Sequence, residues 1–90
     1  MNRITYKHLE AIVDRINRMT NSPMTPWRTE NGRNVANVGN YHLDSAYGGV
    51  RLVRMVSEGG GCRNITSGYD TKKDCAQLMH AFISGLEATK

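Results

Sequence analysis

The chain has 90 residues, 39% of them hydrophobic and 22% charged, with a net charge of +4 and a pI near 9.4. That describes one domain spanning residues 1–90, able to bury a single core and too apolar for a disordered tail. No apolar run reaches bilayer length, MNRITYKHLE carries no signal-peptide core, and the basic residues are not massed into a nucleic-acid arm. The expectation is a cytosolic protein with no membrane partner.

Between Thr5 and Met19 the apolar residues Tyr6, Leu9, Ile12, Val13, Ile16 and Met19 recur at steps of three and four, which predicts an amphipathic helix. Thr5 is its cap, and Lys7, Glu10, Asp14, Arg15 and Arg18 form the solvated face. TNSPMTP ends it, because Pro23 and Pro26 lack an amide donor and push their predecessors toward extended backbone.

The next forty or so residues read as strands. WRTENGRNVANV carries Asn31-Gly32, which suits the positive φ angles of a two-residue hairpin turn. NYHL alternates Tyr41 and Leu43 with polar neighbours, a short half-buried strand. Residues 44–49, DSAYGG, read as a connecting turn. Asp44 and Ser45 bond free amides there, and Gly48 and Gly49 take conformations closed to other residues. GGVRLVRMVS is the longest strand, GGG at 59–61 a turn, and CRNITSGY the last strand.

Thr71 to about Glu87 forms the closing helix, with Cys75, Leu78, Met79, Phe82, Ile83 and Leu86 on one face and TKKD in the form of a capping box. The expected fold class is therefore α+β, in the order α-β-β-β(-β)-α. Two layers result, with both helices on one face of an antiparallel sheet. Ile12, Ile16, Val50, Leu52, Leu78, Phe82 and Ile83 are the expected core.

Chemistry is sparser. Cys62 and Cys75 form no disulfide framework, and neither has a second cysteine at metal-ligand spacing. Cys75 sits on an apolar stripe, where cysteine is ordinarily a small core hydrophobe. His8, His42 and His80 are scattered, so no metal and no cofactor is expected.

The densest stretch is NYHLDSAYGGVRLVRM, residues 40–55. Tyr41 and Tyr47 ordinarily sit half-buried with the hydroxyl at a rim. His42 and Asp44 share a strand face and suit a base with its orienting carboxylate, although neighbouring Ser45 is not thereby a nucleophile. Such a pair is common by chance, and no enzyme is expected.

The binding reading is stronger. Tyr41, His42, Asp44, Tyr47, Arg51 and Arg54 are the candidate residues, with Tyr47 and Arg51 turned outward as anchors. Arg28, Arg33, Arg51, Arg54 and Arg63 all fall in the strand region, where an open sheet face would offer guanidiniums to phosphates or carboxylates. Lys72 and Lys73 stand at the head of the last helix, where positive charge and free amides suit a phosphate.

Two resemblances rest on these residues. The order α-β-β-β-α, closing on GYDTKKDCAQLMHAFISGL, resembles the double-stranded-RNA-binding domain in topology. That likeness implies phosphate contacts for Lys72 and Lys73. The chain departs from that family at Cys75, Ala76 and Gln77, and its ENGR hairpin is short. NVGNYHLDSAYGGVRLVRMVSEGGG, together with the same closing segment, resembles a group of small tailed-bacteriophage accessory proteins over nearly the whole chain. That resemblance implies a non-enzymatic module acting in the bacterial host cytoplasm, as a monomer or homodimer. Its expected partner is a host protein, with inhibition of a bacterial defence system as one outcome. The alternative partner is a nucleic acid or nucleotide.

Overall fold

The computed structural model describes residues 4–66 and 68–89. Helix α1 runs over Tyr6–Met19, capped by the Thr5 hydroxyl, which accepts from the His8 amide at 3.1 Å. It stops before either proline is reached. Asn21 adopts the left-handed conformation (φ 56°), Ser22 donates its amide to the Asn17 carbonyl, and Asn21 donates to Arg18. These two bonds close the helix in a Schellman arrangement, a role that asparagine fills second only to glycine.

Strands β1 (Trp27–Glu30) and β2 (Arg33–Ala36) form an antiparallel hairpin across Asn31-Gly32, both with positive φ, as the dipeptide predicts. Strands β3 (Tyr41–Ala46), β4 (Gly49–Met55) and β5 (Cys62–Asn64) form a second antiparallel sheet in that order. The strands thus split into two sheets where a single meander was expected. The hairpin is tied instead to the β4–β5 turn. The Ala36 amide donates to the Glu58 carbonyl, and the Trp27 indole lies where a Cβ on Gly60 would come within 2.7 Å of it.

Only Cys62–Asn64 of the CRNITSGY segment is strand, and Ser67 lies outside the described residues. Beyond Asn64 the chain still satisfies β4, because the Thr66 hydroxyl accepts from the Leu52 amide at 3.0 Å and Asp70 bridges to Val50. Helix α2 (Lys72–Ala88) follows, capped by Thr71, whose hydroxyl accepts from the Asp74 amide.

Both helices pack on one face of the three-stranded sheet and on each other, giving the expected two-layer α+β domain. Leu9, Ile12, Val13 and Ile16 from α1 meet Tyr41, Val50 and Leu52 from the sheet and Cys75, Ala76, Met79 and Ile83 from α2. Leu78 departs from the expected core, being 43% exposed, and Phe82 is only partly buried. The α2 seam is centred on the row Cys75–Met79–Ile83, so Leu78, Phe82 and Leu86 fall on its flank, about 100° round the helix axis.

Candidate functional site

Register decides which side chains share a face. Tyr41, Leu43 and Ser45 stand opposite Arg54, Leu52 and Val50, on the helix side of the sheet. His42, Asp44 and Ala46 stand opposite Val53, Arg51 and Gly49, on the other face. Asp44 and Ser45 are therefore strand residues, and the turn shrinks to Tyr47-Gly48, with φ of 53° and 74°.

This turn is built as the Asn31-Gly32 turn is, with one difference. Its first position holds tyrosine, where asparagine, aspartate or glycine is usual. A side chain in left-handed backbone costs on the order of 1–2 kcal/mol. The Tyr47 side chain recovers little of that by burial, because the residue is 96% exposed.

What it does touch is Tyr69, edge to face at 5.6 Å between ring centroids. Tyr69 is the centre of a small polar assembly. Its hydroxyl donates to Asp44 Oδ2 at 2.7 Å, and Arg51 donates Nε to the same oxygen at 3.2 Å. The Arg51 guanidinium lies 4.3 Å over the Tyr69 ring. Gly49 makes this approach possible. A Cβ there would lie 2.8 Å from the Tyr69 carbonyl carbon, so the glycine is needed for closeness to backbone and not for its φ.

Arg51 is thus a brace rather than the free outward guanidinium expected, and Tyr47 alone projects. Tyr41, also a candidate, is 5% exposed and belongs to the core, its ring 5.7 Å from that of Phe82. The Arg54 guanidinium lies 5.1 Å from the centre of the same ring, and Arg54 donates Nε to the Gly39 carbonyl.

His42 and Asp44 share a face but form no base–orienter pair. The His42 Nδ1 lies 3.1 Å from Asn40 Oδ1 and its Nε2 lies 3.9 Å from Cys62 Sγ, while Asp44 is taken by Tyr69 and Arg51. Nor is there one basic face. Arg51 lies on one side of the sheet, Arg54 and its register partner Arg63 on the other, and Arg28 in the separate hairpin, against Glu30 and Glu58. Lys72 and Lys73 are exposed at the head of α2, between Asp70 and Asp74. Among the described residues no His/Cys/Asp/Glu group suits a metal ion and no helix is long and apolar enough to cross a membrane.

The electrostatics are asymmetric in pH. The Tyr69 hydroxyl, and then the Arg51 guanidinium, hold the Asp44 carboxyl below its usual range, and the same bond pushes the Tyr69 phenol up. Burial lowers His42, with Asp44 opposing. Both lowered groups favour the deprotonated form in the folded state. Their stabilisation is therefore complete above the ordinary range of each group and lost as pH falls through the folded value. Melting temperature should be flat at neutral pH and decline first below the ordinary histidine range. A second decline should follow below the ordinary carboxylate range. In melts recorded across that span, His42→Gln should remove the first limb and Asp44→Asn the second. Limbs that persist in both variants would assign the decline to other groups.

Sequence reasoning passed over Tyr69, which meets Asp44 from 25 positions away. It also passed over Asn17, the buried residue of α1 whose amide reaches the β3 backbone. Compared with known proteins, the chain matches no family model, no curated protein and no solved structure.

Proposed function

We propose that this chain is a non-enzymatic binding module of a tailed bacteriophage. In this reading it docks on a host protein in the bacterial cytoplasm through the β3–β4 hairpin tip and so modulates a host process. Inhibition of a bacterial defence system is one form that such modulation would take. The phage context is supported by the resemblance of NVGNYHLDSAYGGVRLVRMVSEGGG to that group.

The mode of action is supported by one observation, the aromatic ring of Tyr47 held almost fully exposed on left-handed backbone. Local strain at a residue that stays 96% exposed points to use of that residue, since burial recovers little of its cost. Tyrosine is also a frequent interface anchor, offering large contact area at small entropic cost. Asp44, Arg51 and Tyr69 then act as the frame that fixes the ring's base.

The test is Tyr47→Asn, which installs the residue the turn prefers. Its melting temperature should equal or exceed that of the parent by a few degrees, since about 1 kcal/mol of strain is relieved. Capture of a host protein from bacterial lysate should be lost. A lower melting temperature would make Tyr47 structural, and undiminished capture would place the binding surface elsewhere.

A second reading takes a nucleic acid or nucleotide as partner. It is favoured by Arg54 and Arg63, which stand directly opposite each other on neighbouring strands and have no carboxylate within ion-pair distance among the described residues. Like charges so placed repel unless an anion lies between them. This reading expects retention on heparin that weakens steeply with salt. Retention should fall in the Arg54→Ala, Arg63→Ala variant and, if the head of α2 takes part, in Lys72→Glu with Lys73→Glu. Elution at low salt, as for any weakly basic protein of this size, would remove it.

A further inference from the structure

We propose that the free edge of β3, roofed by the flank of α1, accepts an extended basic segment of a partner protein as an added strand. The inference goes beyond the hairpin-tip reading and stands on different atoms.

β3 is an outer strand of its sheet. His42, Asp44 and Ala46 spend their main-chain groups on β4, so those of Tyr41, Leu43 and Ser45 point away from the sheet. At Tyr41 this outer position is filled. Asn17 accepts from the Tyr41 amide through Oδ1 at 2.8 Å and donates Nδ2 to its carbonyl at 3.0 Å. One side-chain amide there imitates the backbone of a neighbouring strand. Leu43 and Ser45 have no such partner among the described residues, so the strand edge is capped at one end and open beyond it.

The open part lies beside a groove. Tyr6, Glu10, Val13 and Asp14 succeed Asn17 back along one flank of α1 and, with Met24 and Leu43, line a shallow cleft against the strand. Its walls are partly apolar, with Met24 and Tyr6 exposed. Its lining holds two carboxylates, Glu10 and Asp14, that make no ion pair among the described residues, and its one basic group, His42, is held toward the neutral form by burial.

These features select the occupant. An added strand would place one residue opposite Leu43, with its side chain on the helix side, facing the groove. A lysine or arginine there meets two uncompensated carboxylates, and an apolar residue two positions along the same strand, on the same face, meets Val13 and Met24. A second copy of this chain is disfavoured, since two β3 edges paired about a two-fold axis would bring the acidic flanks of both α1 helices together. Main-chain bonds give such a complex its affinity and the groove its selectivity.

The experiment selects binders from a displayed library of random short peptides, then follows backbone amide exchange of the intact protein with the enriched peptides added. Enriched sequences should carry a lysine or arginine among β-branched residues and should protect the Leu43 and Ser45 amides. Two variants should each weaken them about tenfold or more, roughly the loss of one charge-assisted contact or main-chain bond. Glu10→Lys with Asp14→Lys inverts the groove's charge. Ser45→Pro removes an outward donor that the β4 ladder does not use, a substitution edge strands accept. Tyr47→Asn should leave peptide binding unchanged. No enrichment, enrichment of acidic peptides, protection confined to the hairpin tip, or loss of binding in Tyr47→Asn would overturn the proposal. So would concentration-dependent dimerisation that protects the same amides without peptide.

Discussion

Replacing Asn17 by leucine should strip the fold of a large share of its stability, although leucine is the better helix former. Asn17 is 1% exposed, and both ends of its amide are bonded to the Tyr41 backbone. Leucine would leave the Tyr41 amide and carbonyl buried beneath α1 with no partner, at about 1–3 kcal/mol for each orphaned group. A domain of this size has little in reserve, so a fall of at least about 10 °C in melting temperature is expected. Amide exchange gives an independent check. In the parent the Tyr41 amide should be protected although it lies on a sheet edge, and in Asn17→Leu it should exchange freely. A variant that melts near the parent with Tyr41 still protected would show that the edge is sealed by something other than Asn17.

How much was legible in advance follows from how far apart the cooperating residues lie. Both helix starts are local chemistry, a threonine hydroxyl accepting an amide three residues on, and Thr5 and Thr71 do this. Asn31-Gly32 is equally local, so its turn is readable from two letters. Tyr47-Gly48 folds in the same way but offers tyrosine where the preference runs to asparagine. A reading by preference therefore spreads the turn over Asp44 to Gly49 and misplaces four strand residues, Asp44, Ser45, Ala46 and Gly49. The rest is settled across the chain. Nothing near Asp44 announces Tyr69, nothing near Tyr41 announces Asn17, and the division into two sheets depends on the hairpin binding Glu58 rather than β3. The arginines differ: alternation alone parts Arg51 and Arg54 to opposite faces of β4, but nothing local announces that Arg51 is taken up by Asp44 and Tyr69.

The second large effect separates two adjacent residues of α2. Periodicity places Leu78 and Met79 together on the apolar face, but Met79 is 0% exposed and Leu78 is 43% exposed. Met79 stands in the middle of the cluster where α1, β4 and α2 meet. Truncating it removes buried methylene and thioether contacts and leaves a cavity, at about 2–5 kcal/mol. Leu78→Ala should cost no more than about 1 kcal/mol, because the residue is already 43% exposed, leaves no enclosed cavity and gives way to a better helix former. Phe82→Ala should fall between them, since that ring packs on Tyr41 from the border of the core. Urea melts of the three variants should rank them Met79, Phe82, Leu78 from most to least destabilised, with unchanged slopes. If Leu78→Ala proved as damaging as Met79→Ala, helix α2 would be rotated about its axis from the position described. A near-neutral Met79→Ala would mean that the two helices do not share one core with the sheet.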